Sequence, residues 1–375
     1  MKNLEGYIQT VQGLIEPKDL GITLTHEHIL SDATSTLSRP STASEQQLFD
    51  SPVSIDTLTY IKHYNNSFFC ADDFRLSDIT TAIKEVSLYK QYGGNSLVEV
   101  SSLGLGRDPV GLARVSRATG VNIIMGSSYY VPVSHPPDMD KMSEESLVHQ
   151  ITNDIVHGVH DLVSVIADDT IPSHNPGPKA GIIGEVGCWY PLTVNGLKVL
   201  RASGRAQAIT GAPLSIHPGR HVEAPFEIID ILDDVDVDLN KVIIGHVERT
   251  FNHGYDFKRL AEKGCYLEWD LFGEERSFYD GNPEFDMPSD AVRLDQIAAL
   301  ISEGYGNKIL VAHDIAYKHR LVSYGGHGYF YMLANIVPRM EARGFREESI
   351  QRLLVENPRE ALTFSKSRDK WPRSL

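Results

Sequence analysis

Short apolar runs alternate with helix-spaced stretches along most of this 375-residue chain, and that rhythm limits its fold more than any other feature. The runs end at His28, near Ser101, Ser127 and Val186, and at His217, His246, Asp270 and Asp314, which makes eight strand candidates. Between them, apolar residues recur at helical spacing. Leu76–Tyr92 stops at Gly93-Gly94, and further helices are expected near Pro109–Thr119, Ser143–Ile166, Val194–Gly211, Pro225–Asp233, Tyr255–Lys263 and Asp290–Glu303. Strand–helix alternation repeated this often implies parallel strands joined by crossover helices, and eight of them imply an α/β fold, a (β/α)8 TIM barrel. One domain over residues 1–375 is the economical organisation. Leu4 to Pro17 is expected to form a small hairpin over the barrel bottom, and Ser31 to Asp73 a long polar loop with some helix. From Tyr329 onward two or three helices are expected, the last opened by Asn357-Pro358.

Composition narrows the function. With 41% hydrophobic and 23% charged residues, the chain suits a globular enzyme with a full core. A net charge of −15 disfavours nucleic acid or an anionic membrane as partner, since both demand a basic face. The three cysteines, Cys70, Cys188 and Cys265, are odd in number and far apart, so no disulfide framework is expected. The first residues carry no apolar signal core and no run approaches a membrane span, which points to a cytoplasmic protein acting on a small molecule.

Thr25-His26-Glu27-His28 closes the first strand. Side chains alternate along a strand, so His26 and His28 share one face and Thr25 and Glu27 the other. A His-x-His pair alone is a weak metal signal, because a site needs three or four convergent ligands. In a barrel, however, active-site residues gather at the C-terminal ends of the strands. The polar residues at those ends are His26, His28, Glu185, His217, His246 and Asp314. Four imidazoles and two carboxylates suit two divalent ions with one carboxylate bridging. Such a pair of ions holds a hydroxide between them, lowering the pKa of water from 15.7 toward roughly 7.

With these residues in view, the chain resembles the phosphotriesterase family of the amidohydrolase superfamily over nearly its whole length. The resemblance is carried by Ile8–Gly13, Thr23–His28, Gly106-Arg107-Asp108, Ile182–Gly187, Ile244-Gly245-His246, His313-Asp314 and Tyr324–Tyr329. It implies that His26, His28 and Asp314 hold a buried metal and that His217 and His246 hold a more exposed one. The bridging position, often a carboxylated lysine in the family, is Glu185 here, as in a branch that uses glutamate. Zinc is the implied metal, with manganese and cobalt as alternatives. Arg249 stands where some members place an acid three positions after the strand-6 histidine, and Leu271 where a His or Arg often follows Asp270. A proton relay of that kind is therefore not expected, and Asp314 is the candidate base. For substrate contacts the resemblance points to Tyr130 past strand 3, Arg276 after strand 7, and Lys318 and Arg320 after strand 8. The expected function is hydrolysis of a carboxylic ester or lactone, including phosphorylated sugar lactones whose charge the basic residues would meet. A phosphotriester, a phosphodiester or an amide would serve the same apparatus, and a non-catalytic metal-binding scaffold is the alternative of another class. Many relatives are dimers, so a homodimer is the expected assembly.

Overall fold

The computed structural model describes residues 4–63, 70–159, 177–251, 254–275, 279, 282 and 286–368. Eight short strands, β1 (Thr23–Glu27), β2 (Ser96–Glu99), β3 (Asn122–Ser127), β4 (Ile182–Gly187), β5 (Leu214–His217), β6 (Val242–Ile244), β7 (Tyr266–Trp269) and β8 (Ile309–Val311), pair in chain order. All these pairings are parallel. Near-continuous apolar sequences such as Val242-Ile243-Ile244 follow from burial on both faces, as crossover helices demand. The outward set, including Leu97, Leu214, Ile244, Leu267 and Trp269, packs under the helices. Val98, Val100, Ile124, Ile182, Ile243 and Leu310 form a separate inner core.

The ring is closed by polar bonds rather than by more strand. The backbone N–H of Asp314 donates to His26 O at 3.1 Å. Glu27, on the outer face of β1, accepts from the His313 and Ile315 backbone at 2.9 and 3.1 Å and from His313 Nδ1 at 2.7 Å. His313 Nε2 in turn accepts the Met332 N–H at 3.0 Å, which places the ring proton on Nδ1. The fold is the (β/α)8 barrel expected from the strand–helix alternation.

The crossover helices begin where the sequence offers a cap. Asp78, Asp108, Thr193 and Ser289 each accept a hydrogen bond from the first turn of the helix that follows them. The helix expected over Ser143–Ile166 covers Glu144–Val156, and the rest of that expectation from residue 160 onward lies outside the described residues. Ile8–Thr10 and Gly13–Ile15 form the hairpin. Its Ile8 enters the inner core from the bottom, and Gln9 Nε2 donates to Ile155 O at 2.9 Å. At the far end, Val337–Ala342, Glu347–Gln351 and Asn357–Leu362 are helical. Asn357 ties the last of them to the barrel by donating to Ile309 O at 2.7 Å.

Two irregularities aim the site. Register shifts in β1 between Leu24 and Glu27, and in β4 between Ile183 and Val186. A bulge adds a residue to one strand and turns its side chains, and these two bulges flank His26 and Glu185.

Candidate active site

All six strand-end residues named from the sequence converge at the C-terminal mouth. Glu185 is the hub. Its Oε1 lies 3.4 Å from His28 Nε2, and its Oε2 lies 3.4 Å from His26 Nε2, 2.9 Å from His217 Nδ1 and 3.5 Å from His246 Nε2. Asp314 Oδ1 sits 3.1 Å from His28 Nε2. The donor atoms of His26, His28 and Glu185 form one close group, and those of Glu185, His217 and His246 another, so the glutamate belongs to both. His246 and Asp314 adopt left-handed backbone angles, φ 54° and 51°, which cost a non-glycine residue about 1 kcal/mol or more. For His246 the turn is needed. Ile243 faces the inner core, so simple alternation would aim residue 246 outward.

The groups that orient these histidines were not among the site residues named from the sequence. The inner face of β7 runs Tyr266, Glu268, Asp270. Glu268 Oε2 lies 3.1 Å from His26 Nδ1, and Asp270 Oδ1 lies 2.8 Å from His246 Nδ1. Asp270 also accepts the His246 backbone N–H at 2.9 Å, holding the left-handed turn. Ser101 Oγ takes His28 Nδ1 at 2.8 Å. With Nδ1 protonated in all three rings, each Nε2 presents a lone pair toward Glu185, the tautomer a metal ligand needs. Period-two alternation of acids on a strand that also feeds a barrel mouth is the signal that could have found Glu268 and Asp270.

The model of the phosphotriesterase family matches residues 6–362. The chain belongs to the phosphotriesterase family. Human N-acetyltaurine hydrolase is 42% identical over 365 residues, covering 97% of this chain and all of the relative. Among solved structures, a resiniferatoxin-binding protein from Rhodobacter sphaeroides superposes with a TM-score of 0.86 at 30% identity, covering 99% of this chain and 100% of that one. A lactonase from Listeria monocytogenes shares the fold at a TM-score of 0.73 and 24% identity, covering 96% and 100%. This is accordingly a phosphotriesterase-family hydrolase.

The residues present fit the family's metal ions. His26 Nε2 is wholly buried and has no hydrogen-bond partner, so its lone pair is left for a cation. Four inward carboxylates, Glu185, Asp314, Glu268 and Asp270, face four imidazoles, and that excess of negative charge calls for positive charge among them. Without an ion the demand falls on protons. Burial opposes charging His28, yet Asp314 and Glu185 push it up to about 10. Burial likewise opposes ionising Glu185, but His217, His246 and His26 hold it well below the usual carboxylate range.

His217 differs from the other three. Burial lowers its pKa, and its Nε2 faces Arg249 Nη2 at 3.1 Å. A guanidinium only donates, so Nε2 accepts here and Nδ1 carries the proton. Were Nδ1 to serve as a ligand, that proton would move to Nε2 and Arg249 would lose its acceptor.

A cavity of about 450 Å³ opens in front of the cluster, lined in part by Tyr130, Trp189, Arg220, Arg249, Leu271 and Asp314. Tyr130, expected to contact substrate, lines this cavity, with its hydroxyl 3.3 Å from His217 Nδ1. Arg276 lies outside the described residues. Lys318 and Arg320 point elsewhere. Lys318 Nζ pairs with Asp72 at 2.5 Å. Arg320 is buried, donating to His313 O and Phe272 O, both at 2.7 Å, and pairing with Glu274 at 3.3 Å. Neither residue lines the cavity. Among the described residues, the arginines that line it are Arg220 and Arg249. No helix of the described residues is long and apolar enough to cross a membrane.

Proposed function

We propose that this chain is a metal-dependent amidohydrolase that cleaves N-acetyltaurine or a near analogue, an acetamide of a short amine bearing an anionic tail. Support comes from the human relative, which matches end to end at 42% identity. The sequence reading put esters and lactones first and kept amides as an alternative. It is the amide that this likeness favours.

His26, His28 and Asp314 would hold one ion, His217 and His246 the other, with Glu185 spanning both. When bound, such ions supply a polarised carbonyl and a water acidic enough to attack near neutral pH. Asp314 is the most open of the six, with 19% of its side chain exposed against 7% or less for the others. Fronting the cavity, it takes the proton of the attacking water and delivers it to the departing amine nitrogen. An amide needs this second transfer, because an amine leaves only once protonated. Burial, with Glu185 adding to it, raises the Tyr130 hydroxyl well above its ordinary pKa, so it remains a donor for the acyl oxygen.

The test is a panel of N-acetyltaurine, plain and phosphorylated lactones, aryl esters and phosphotriesters, offered to zinc- and manganese-loaded protein with and without chelator. Acetate release from N-acetyltaurine that a chelator abolishes is the expected result. Turnover confined to lactones or esters would return the reading to ester cleavage, and turnover of phosphotriesters alone would move it to phosphorus. No chelator-sensitive turnover of any kind would favour the scaffold.

A further inference from the structure

Arg249 is 3% exposed, and its Nη1 has no hydrogen-bond partner. Among the described residues no carboxylate pairs with it, and none pairs with Arg220, which is exposed on the same cavity wall. What holds Arg220 is aromatic. Its Nε donates to the Tyr279 hydroxyl, and its guanidinium lies 5.6 Å from the centre of that ring. Each arginine stands three positions after a strand-end histidine, Arg220 after His217 and Arg249 after His246. Arg249 Nη2 meets His217 Nε2 at 3.1 Å and Pro218 O at 3.5 Å, in the loop that carries Arg220, and both arginines line the cavity. Elsewhere on this rim a buried cation is matched: Arg293 meets Asp290 at 2.8 Å and Glu248 at 3.3 Å. Leaving a guanidinium buried in a cavity wall with a free N–H is unfavourable unless an anion arrives to complete it.

We propose that Arg249 and Arg220 together bind the sulfonate of the substrate and set the enzyme's preference for short anionic amides. This rests on the amidohydrolase reading and adds to it the part of the site that selects the tail. Three sulfonate oxygens suit two guanidinium forks approaching from different loops. The position also limits length. Arg249 reaches one edge of the His217 ring at 3.1 Å while the other edge faces Glu185 at 2.9 Å, so a single imidazole separates the anion anchor from the reacting centre. A linker of few atoms spans that gap. Longer chains would carry the charge past Arg249.

The experiment pairs binding with kinetics on metal-loaded protein. Ethanesulfonate is titrated calorimetrically into the wild type, Arg249→Met, Arg249→Lys and Arg220→Met, with metal content measured in each. For N-acetyltaurine and uncharged N-propylacetamide, kcat and KM are determined separately. We expect Arg249→Met to weaken ethanesulfonate binding and raise KM for N-acetyltaurine by about 30-fold, the size of a lost charge-assisted hydrogen bond. Arg220→Met should do the same by about 10-fold, and Arg249→Lys should recover part of the loss. The preference for N-acetyltaurine over N-propylacetamide should fall in step. No hydrogen bond or ion pair joins Arg220 to any of the six strand-end residues, so its variant keeps the test sharp if Arg249→Met loses metal. Ethanesulfonate binding equal to wild type in both methionine variants would overturn the proposal. So would a fall in kcat at constant KM, which would make Arg249 a positioning residue for His217. If the wild type cleaves no amide yet binds ethanesulfonate through these arginines, the amide reading falls and the anion site stands.

Discussion

The loops behind β5 and β6 and the loop behind β8 each bring two cations to the barrel mouth, and they use them differently. Lys318 and Arg320, behind β8, are fully engaged with Asp72, Glu274 and the carbonyls of His313, Asp314 and Phe272. Their charge holds the loops together. Arg220 and Arg249, behind β5 and β6, meet tyrosine, histidine and backbone, but no carboxylate among the described residues. Their charge is left for a ligand. Two arginines of the same formal charge on one rim are thus separated in role by their partners, which a sequence does not display.

The contrast can be broken most directly at Arg320. Replacing it with Met removes four donated bonds from a buried site, one to Glu274 and three to the carbonyls of His313, Asp314 and Phe272. We expect a loss of about 3 kcal/mol in denaturant unfolding. An unchanged stability with a raised KM for anionic substrates would place Arg320 with the other pair instead.

Glu99 sharpens the comparison from the opposite sign. Like Arg249 it is buried with one unpartnered atom, Oε2, but it lies away from the cavity, and a proton serves it where Arg249 awaits an anion. Burial pushes its pKa up to about 7 from an ordinary 4.5. The folded state therefore binds more protons than the unfolded one between those two values. Stability is full below the unfolded pKa and falls as pH rises through about 7. Glu99→Gln should remove that fall, raising stability at pH 8 by about 3 kcal/mol while changing little at pH 4. Equal shifts at both pH values would mean that the folded state leaves the Glu99 pKa where it stands in the unfolded chain.

The smallest effect concerns stability at Arg249. Because no carboxylate of the described residues offsets its charge, Arg249→Met should gain about 1 kcal/mol in the absence of any sulfonate, measured by thermal or denaturant unfolding. A loss as large as that of Arg320→Met would show that its charge serves the fold and would erase the distinction.

Much of the architecture was legible because barrel strands announce themselves twice, by apolar composition and by spacing. The six strand-end residues could be named since a parallel barrel has one polar mouth, so a histidine or acid ending an apolar run has few places to go. Glu27 and His313 are a harder case. Both belong to recognisable motifs, yet they turn away from the cluster and clamp β8 to β1, and only alternation along β1 hinted at the separation. Lys318 and Arg320 were named as substrate contacts for their charge and their place after β8. Their partners Asp72 and Glu274 are far away in sequence, at separations of 246 and 46 residues, and so could not be matched to them.

By itself the sequence determined the barrel, the end of it that would carry chemistry, and the histidines and carboxylates gathered there. Those properties follow from periodicity and residue type, which are local. Tertiary structure alone decided which acids orient which imidazoles, where bulges and left-handed turns aim His26, Glu185 and His246, and which arginines meet no carboxylate among the described residues. Each of these depends on distances of about 3 Å between groups that come together only when the sheet closes.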